Sequence, residues 1–304
     1  MKTAVFAKLP RAGLGNKLLV WARAYAFACR HNLPLYTFNW TTLHLGPWLR
    51  REKHKRYYRT YFKDPEGANR NRFLWARLAG KLIPEPDMET PVDAVQKQVF
   101  VFSRVLYWQH AFDGLKPYRE QIRQYMGKHL VADSILMQLA NAPTPVVAVH
   151  IRMGDFRRIP EGESMQGNHN ARTPLSYFSQ MIHAIRSVAG SDLPVTLFSD
   201  GYDDELKEIL QIPDVQRATP MSDIAELLLM SRSKVIVPSA SSTFSLWAGF
   251  LSDAILFQHP DHYLRSIRPE ASNEKHWEGA VGTDPAQWPE QLTRQLRSIS
   301  PGTA

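Results

Sequence analysis

Four apolar residues, three of them β-branched, run from Val146 straight into His150, Arg152 and Asp155. An unbroken apolar run of this length reads as a strand buried on both faces, as in a parallel sheet. Ligands of open α/β sheets bind beyond the carboxyl ends of the strands, so the charged end of this segment is the first place to look for chemistry. His150 and Arg152 are two residues apart and share one face of the extended chain, and Gly154 frees the backbone after them. A guanidinium at that position either grips a phosphate or closes an ion pair with Asp155, and the stretch by itself supports both.

The same rhythm recurs along the chain. Pro143 and Pro145 stop a long helix predicted over 118–139. Beyond them, strands are expected near 146–149, 195–198, 234–237 and 254–257. Helices are expected at 174–188, 203–211 and 224–232, with a turn and helix over 239–251. Before the prolines, strands are expected at 4–7, 33–38 and 99–108, helices at 17–31 and 69–80, and a loop at 84–91. The expected fold is therefore α/β, with two Rossmann-like domains of mostly parallel sheet. Residues 1–142 form the first and 143–304 the second, and the second ends in a polar tail from 271 with one helix near 289–297.

Composition narrows the function classes. Lys and Arg number 37 against 29 Asp and Glu, a formal charge of +8 that suits an anionic ligand, an acidic glycan or an anionic membrane surface. A hydrophobic content of 44%, with eight Trp and fourteen Phe, excludes a disordered chain. The single cysteine, Cys29, excludes an internal disulfide and a cysteine-built zinc site; it falls in an apolar helical run and is expected in the core. The first residues lack a leader pattern, and no apolar run approaches the roughly 20 residues of a membrane span. The expected location is the cytoplasm, with peripheral contact at the inner membrane face left open. The stretch 49–63 mixes Arg and Lys with Tyr57, Tyr58, Tyr61 and Phe62. It reads as a surface helix near the acceptor or a membrane rather than as a nucleic-acid module, so no nucleic-acid partner is expected.

Three further segments carry candidate sites. Gly13-Leu14-Gly15-Asn16 stands between a strand and a helix, an arrangement that aims backbone amides at an anion. It lacks both the third glycine of a dinucleotide fingerprint and a Walker lysine–serine pair. Four serines and one threonine fall within 239–245, after a strand and at the start of a helix, where hydroxyls and open amides make a neutral cradle for a diphosphate. Asp200 and Asp223 are candidate acceptors for the paired donors of a guanine edge. Asp223 can equally complement a helix dipole, and Asp200 with Asp203 and Asp204 lacks the further ligands a metal site needs.

Taken in order, these landmarks resemble the α-1,2-fucosyltransferases and, more distantly, the α-1,6- and protein O-fucosyltransferases. His150-Ile151-Arg152-Met153-Gly154-Asp155 resembles the family's HxRRxD motif and Gly13–Asn16 its GxGN turn. Tyr107-Trp108-Gln109 is similar to a segment before the interdomain region. Thr173 to Phe178 resembles its LDYY-type helix start, and Ser242-Thr243-Phe244-Ser245-Leu246-Trp247 its third motif. Asp200 and Asp223 match a strand-end aspartate and the aspartate before the last phosphate-binding turn.

The resemblance implies a GT-B-like, inverting, metal-independent transferase with no cofactor. Its donor is GDP-fucose and its acceptor a glycan, with a lipid-linked glycan as one version. Donor contacts are implied for Gly13, Gly15, Asn16, His150, Arg152, Asp155, Asp200, Asp223, Ser242, Thr243 and Phe244, with Arg152 neutralising the departing β-phosphate. Met153 stands where many members carry a second arginine, so either one cation suffices or Arg157 or Arg158 replaces it. A carboxylate of the loop 157–172, Glu161 first and Glu163 beside it, is the expected proton acceptor for the incoming hydroxyl. Two alternatives stand beside this reading: a non-catalytic nucleotide-sugar-binding protein of the same fold, and a transferase of another GDP-deoxysugar.

Overall fold

The computed structural model describes residues 3–42, 58, 60–93, 95–106, 110–160, 165–168, 170–263 and 265–300. They form two compact units, divided between Leu136 and Met137. Of the candidate segments, Glu161, Glu163, the 107–109 triplet and most of 49–63 lie outside the described residues.

The first unit runs β1 (Ala4–Lys8), α1 (Leu14–His31), β2 (Leu35–Phe38), α2 (Glu66–Ala79), β3 (Lys81–Pro84) and β4 (Gln98–Phe102). The strands pair in parallel in the order β2-β1-β4-β3. Val5 lies beside Phe100 and Phe6 beside Val101, so alternate side chains serve opposite faces. Phe27 of α1 meets Phe100 at 4.8 Å on one face, while Phe73 of α2 meets Phe6 at 5.3 Å on the other. One helix thus covers each face, as a parallel sheet requires.

Three expectations for this half change. Cys29 is exposed rather than in the core. It lies one turn after Tyr25, on the outward side of α1. The fourth strand stops at Phe102 instead of continuing to 108, because the Glu85 carboxylate takes the amides of Ser103 and Arg104 and ends the ladder. The single helix over 118–139 is in pieces: a 3-10 turn at Asp113–Tyr118, α3 (Arg119–Tyr125), a wide π turn at Met126–Leu130 and α4 (Asp133–Ala140). Val131 is extended and bridges to Phe62, and the amides of Lys63 and Ala132 bond across the same join at 2.9 Å. That long-range pairing overrides the helical period.

The second unit alternates without interruption: β5 (Val147–Ile151), α5 (Leu175–Ala189), β6 (Val195–Ser199), α6 (Lys207–Leu210), β7 (Val215–Arg217), α7 (Asp223–Met230), β8 (Val235–Val237), α8 (Thr243–Leu251), β9 (Ile255–Gln258), α9 (Glu270–Lys275), β10 (Glu278–Ala280) and α10 (Glu290–Arg297). All strand pairs are parallel, in the order β10-β9-β8-β5-β6-β7. From β5 the chain builds outward through β6 and β7, then returns to β5's other side and builds outward through β8, β9 and β10. The order reverses between β5 and β8, which is where doubly wound sheets open a crevice.

Strands β7 and β10 are not in the sequence reading; Val-Gln-Arg and Glu-Gly-Ala lack the unbroken apolar run by which the equally short β8 is legible. The helix expected over 203–211 shrinks to α6. The stretch from 271 is no polar appendage either: Trp277, Trp288, Leu292 and Leu296 join Val147, Val149 and Ile151 in one core. A fully buried Arg268–Glu278 pair seals the return. The guanidinium donates to Glu278 and to the carbonyls of Ser252, Ala254, His276 and Trp277.

Candidate active site

The site begins where the β5–β8 ladder ends. Those strands pair from Val147 with Val235 to Val149 with Val237, and then Pro238, which has no amide proton, closes β8. Side chains take over the hydrogen bonds. Ser239 Oγ donates to the His150 carbonyl at 2.9 Å and accepts the Arg152 amide at 2.8 Å. On the β6 side, Ser199 Oγ donates to the Ile151 carbonyl at 2.6 Å, and Asp200 Oδ1 accepts the Met153 amide at 2.7 Å. Residues 150–153 are therefore held from both sides at the mouth of the crevice.

The Arg152 guanidinium reaches toward the β6 side. One nitrogen pairs with Asp200 and another with Asp155 Oδ1 at 2.5 Å, while its carbon lies 5.7 Å from the Phe156 ring centre. Two carboxylates thus orient the planar fork that Arg152 would offer a phosphate. Asp155 is the more accessible, its side chain 32% exposed against 10% for Asp200. Gly154 leaves room for this arrangement, since a Cβ there would lie 2.4 Å from Asp200 Oδ2 and push the carboxylate aside.

His150 is buried on the α8 side, its ring 5.2 Å from that of Phe244. Its Nδ1 has no hydrogen-bond partner among the described residues. Burial holds its pKa down to about 4, with Asp200 opposing and Arg152 reinforcing that shift, so the imidazole is neutral at ordinary pH. Ser242 is the N-cap of α8 and makes no side-chain cap; its amide bonds the Ser239 carbonyl, and the next amide to bond back along the chain is that of Leu246, to the Ser242 carbonyl. The amides of Thr243, Phe244 and Ser245 thus form the open first turn of the helix. The strand end and the hydroxyl-rich turn do meet, through Ser239 and through His150 against Phe244.

Other expected residues fall elsewhere. Asp223 is the first residue of α7, after the edge strand β7. Asp203 pairs with Arg217, whose other nitrogen donates to the Ser199 and Gly201 carbonyls at 2.7 Å. Met153 is buried in the core, with its side chain against Gly201, so position 153 does not offer a second cation. Arg157 bonds Asn168, and Arg158 lies 3.7 Å from Glu205, which also holds Arg172. Gly13, Gly15 and Asn16 belong to the first unit, at the start of α1. There the Leu14 amide is taken by the Tyr58 hydroxyl at 3.1 Å. The next residue, Lys17, is fully buried on the Asn39 carbonyl and the Thr42 hydroxyl, and burial lowers its pKa to about 8.

Sequence reasoning missed two supports and one cleft. Thr173 Oγ1 accepts the Ala240 amide at 3.0 Å and so ties the start of α5 to the hydroxyl-rich turn. Arg172 donates to the Met153 and Phe156 carbonyls and braces the loop after β5. Beyond β9 lies a cleft of about 300 Å³ lined by Met165, Tyr177, His259, Asp261 and Thr283 among others. His262 fastens it to the same turn, bonding Ser241 at 2.8 Å and the Met165 carbonyl at 2.6 Å. Thr173 and Tyr177 stand in the 173–178 motif, which gave them no role; Arg172 and the His-Pro-Asp-His run of the cleft have neither a period nor a motif.

Comparison with known proteins bears on the same region. No curated protein matches the chain. Among solved structures the chain is similar to the Bradyrhizobium α-1,6-fucosyltransferase NodZ soaked with GDP-fucose, at 14% identity over 83% of this chain and 94% of that one, TM-score 0.49. It is also similar to POFUT1 in complex with GDP-fucose, at 14% identity over 84% and 95%, TM-score 0.44. A third is an Arabidopsis thaliana FUT1 mutant in complex with GDP, at 13% identity over 89% and 72%, TM-score 0.44. The family model described as glycosyl transferase family 11 matches residues 107–280, more than half of the chain. That span takes in β5, β6, β8 and every side chain around the crevice between them, and on it the chain belongs to glycosyl transferase family 11.

Proposed function

We propose that this chain moves fucose from GDP-fucose to a hydroxyl of a glycan acceptor, with inversion and without a metal ion. The observation that carries the reading is a carboxylate-oriented arginine at the end of β5 and, across the strand-order reversal, an open helix turn tied to the same strand end through Ser239 and through His150 against Phe244. A departing GDP needs both, a fixed cation and a set of amide donors where negative charge accumulates. In this reading a diphosphate competes with the more exposed Asp155 for Arg152, while Asp200 keeps the fork in plane. Ser242, Thr243 and Phe244 supply hydroxyl and amide donors. The neutral His150 ring addresses a nucleotide or sugar hydroxyl rather than a phosphate charge. Asp223, Gly13, Gly15 and Asn16 stay in the proposal on the motif resemblance, as does the α-1,2 linkage. Glu161 is the proposed general base as a carboxylate of the loop 157–172 that follows the strand end.

The test is GDP release and product analysis with GDP-fucose, other GDP-sugars and a panel of galactoside acceptors. The expected result is acceptor-dependent GDP release from GDP-fucose, unchanged by EDTA, with the anomeric configuration inverted in the product. Arg152→Ala should lower turnover by roughly a hundred- to a thousand-fold, the usual cost of removing a donor aimed at developing charge. Near-normal turnover in that variant would refute the assigned role. The arginine's engagement by two carboxylates favours one second reading, a donor-binding protein without turnover; tight GDP-fucose binding with no GDP release for any acceptor selects it.

A further inference from the structure

Helix α2 of the first unit carries its apolar residues on two opposite sides. Asn69, Phe73 and Ala76 are buried, a narrow seam at helical spacing that packs toward Phe6 and Phe38. Leu74, Trp75 and Leu78 stand out of the surface at 52%, 70% and 81% exposure, and Leu82 of the adjoining edge strand β3 continues the crest. At 100° per residue these three side chains centre directly opposite the buried seam. Arg70 and Arg77 flank the crest on one side and Arg72 on the other, with exposed Lys81 at its end. Arg72 and Arg77 lie over the rings of Tyr36 and Phe73, which keeps their charges beside the helix.

We infer that this face of α2 is a membrane-docking surface for an anionic bilayer, the helix lying in the headgroup plane. Two features argue for lipid over a protein partner. A tryptophan and two leucines form a crest one side chain deep, which suits shallow insertion between headgroups. Cations border it on both sides, and the whole chain carries a formal charge of +8, so an anionic surface is complementary where a second copy of the same basic face is not. No helix among the described residues is long and apolar enough to cross a membrane. The basic–aromatic stretch 49–63, where membrane contact was first expected, is not needed for this argument.

The test is co-sedimentation of the full chain with phosphatidylcholine vesicles and with vesicles that also carry phosphatidylglycerol. Binding is expected to the anionic vesicles and to weaken as salt rises. Trp75→Ser/Leu78→Ser should weaken it by about tenfold or more, and Arg77→Gln/Lys81→Gln should erase the preference for anionic lipid. All four residues are solvent-exposed, so the variants keep the fold, checked by circular dichroism. No binding to anionic vesicles overturns the inference, as does binding that Trp75→Ser/Leu78→Ser leaves unchanged. A wild-type dimer that the same pair of substitutions dissociates also overturns it, by assigning the crest to a second copy. None of these readouts uses a sugar donor, so they stand or fall apart from the proposed transferase activity.

Discussion

Replacing Gly154 by alanine tests the site through the orientation of Arg152, without removing any side chain proposed to meet the donor. The new Cβ would lie 2.4 Å from Asp200 Oδ2 and 3.4 Å from its Cγ, so the carboxylate must move. Its other oxygen accepts the Met153 amide at 2.7 Å, and the displaced oxygen pairs with Arg152. Swinging the group away therefore breaks at least one hydrogen bond to a charged partner, at about 1.5–3 kcal/mol. With about 1.4 kcal/mol per decade of rate, kcat/KM should fall roughly ten- to a hundredfold if Arg152 acts on the leaving group. The assay is initial-rate GDP release over a range of GDP-fucose concentrations. Gly67→Ala serves as control, because a Cβ there meets nothing within 4 Å. A melting temperature close to wild type would show that the loss is local. Wild-type kinetics in Gly154→Ala would mean that the orientation of Arg152 does not matter, and the site argument would fail with it.

Two further outcomes follow from buried charge. His150 and His259 are both held near pKa 4 by burial, against an ordinary value of 6.5, so between those pH values the unfolded chain binds protons that the folded chain refuses. Stability should be level above pH 6.5 and decline toward pH 4, read as urea midpoints, and His150→Phe should flatten that slope; a variant slope equal to wild type would remove His150 as a cause. Arg268→Met leaves the buried Glu278 carboxylate without its counter-charge and takes a donor from four carbonyls, and should cost about 3–5 kcal/mol in urea unfolding. An unchanged midpoint would show that the 268–278 return does not hold the second unit together.

Legibility followed the range of the interaction. The strand ending at Ile151 was readable because a run of Val and Ala between polar groups has only one comfortable place, inside a parallel sheet. Helix α8 was readable because its serines and threonine precede an apolar stretch, a short-range signal. The 118–139 segment was misread because the bridge that breaks it comes from Phe62, far away in sequence. The exposure of Cys29 and the burial of Trp277 and Trp288 depended on which side of an element other elements came to cover.

The sequence by itself determined that the apolar run from 146 makes a buried strand with charged residues at its end, and that a hydroxyl-rich turn opens a later helix. Both are consequences of backbone sterics and side-chain period, which act over a few neighbouring residues. Only the tertiary structure decided that Arg152 is oriented by Asp200, 48 positions on, and suspended from Ser239, 87 positions on. It also decided that Met153 turns into the core and that His150 stays neutral against Phe244. Those outcomes depend on strand order and on what excludes water from each group, and neither exists until the sheet has closed.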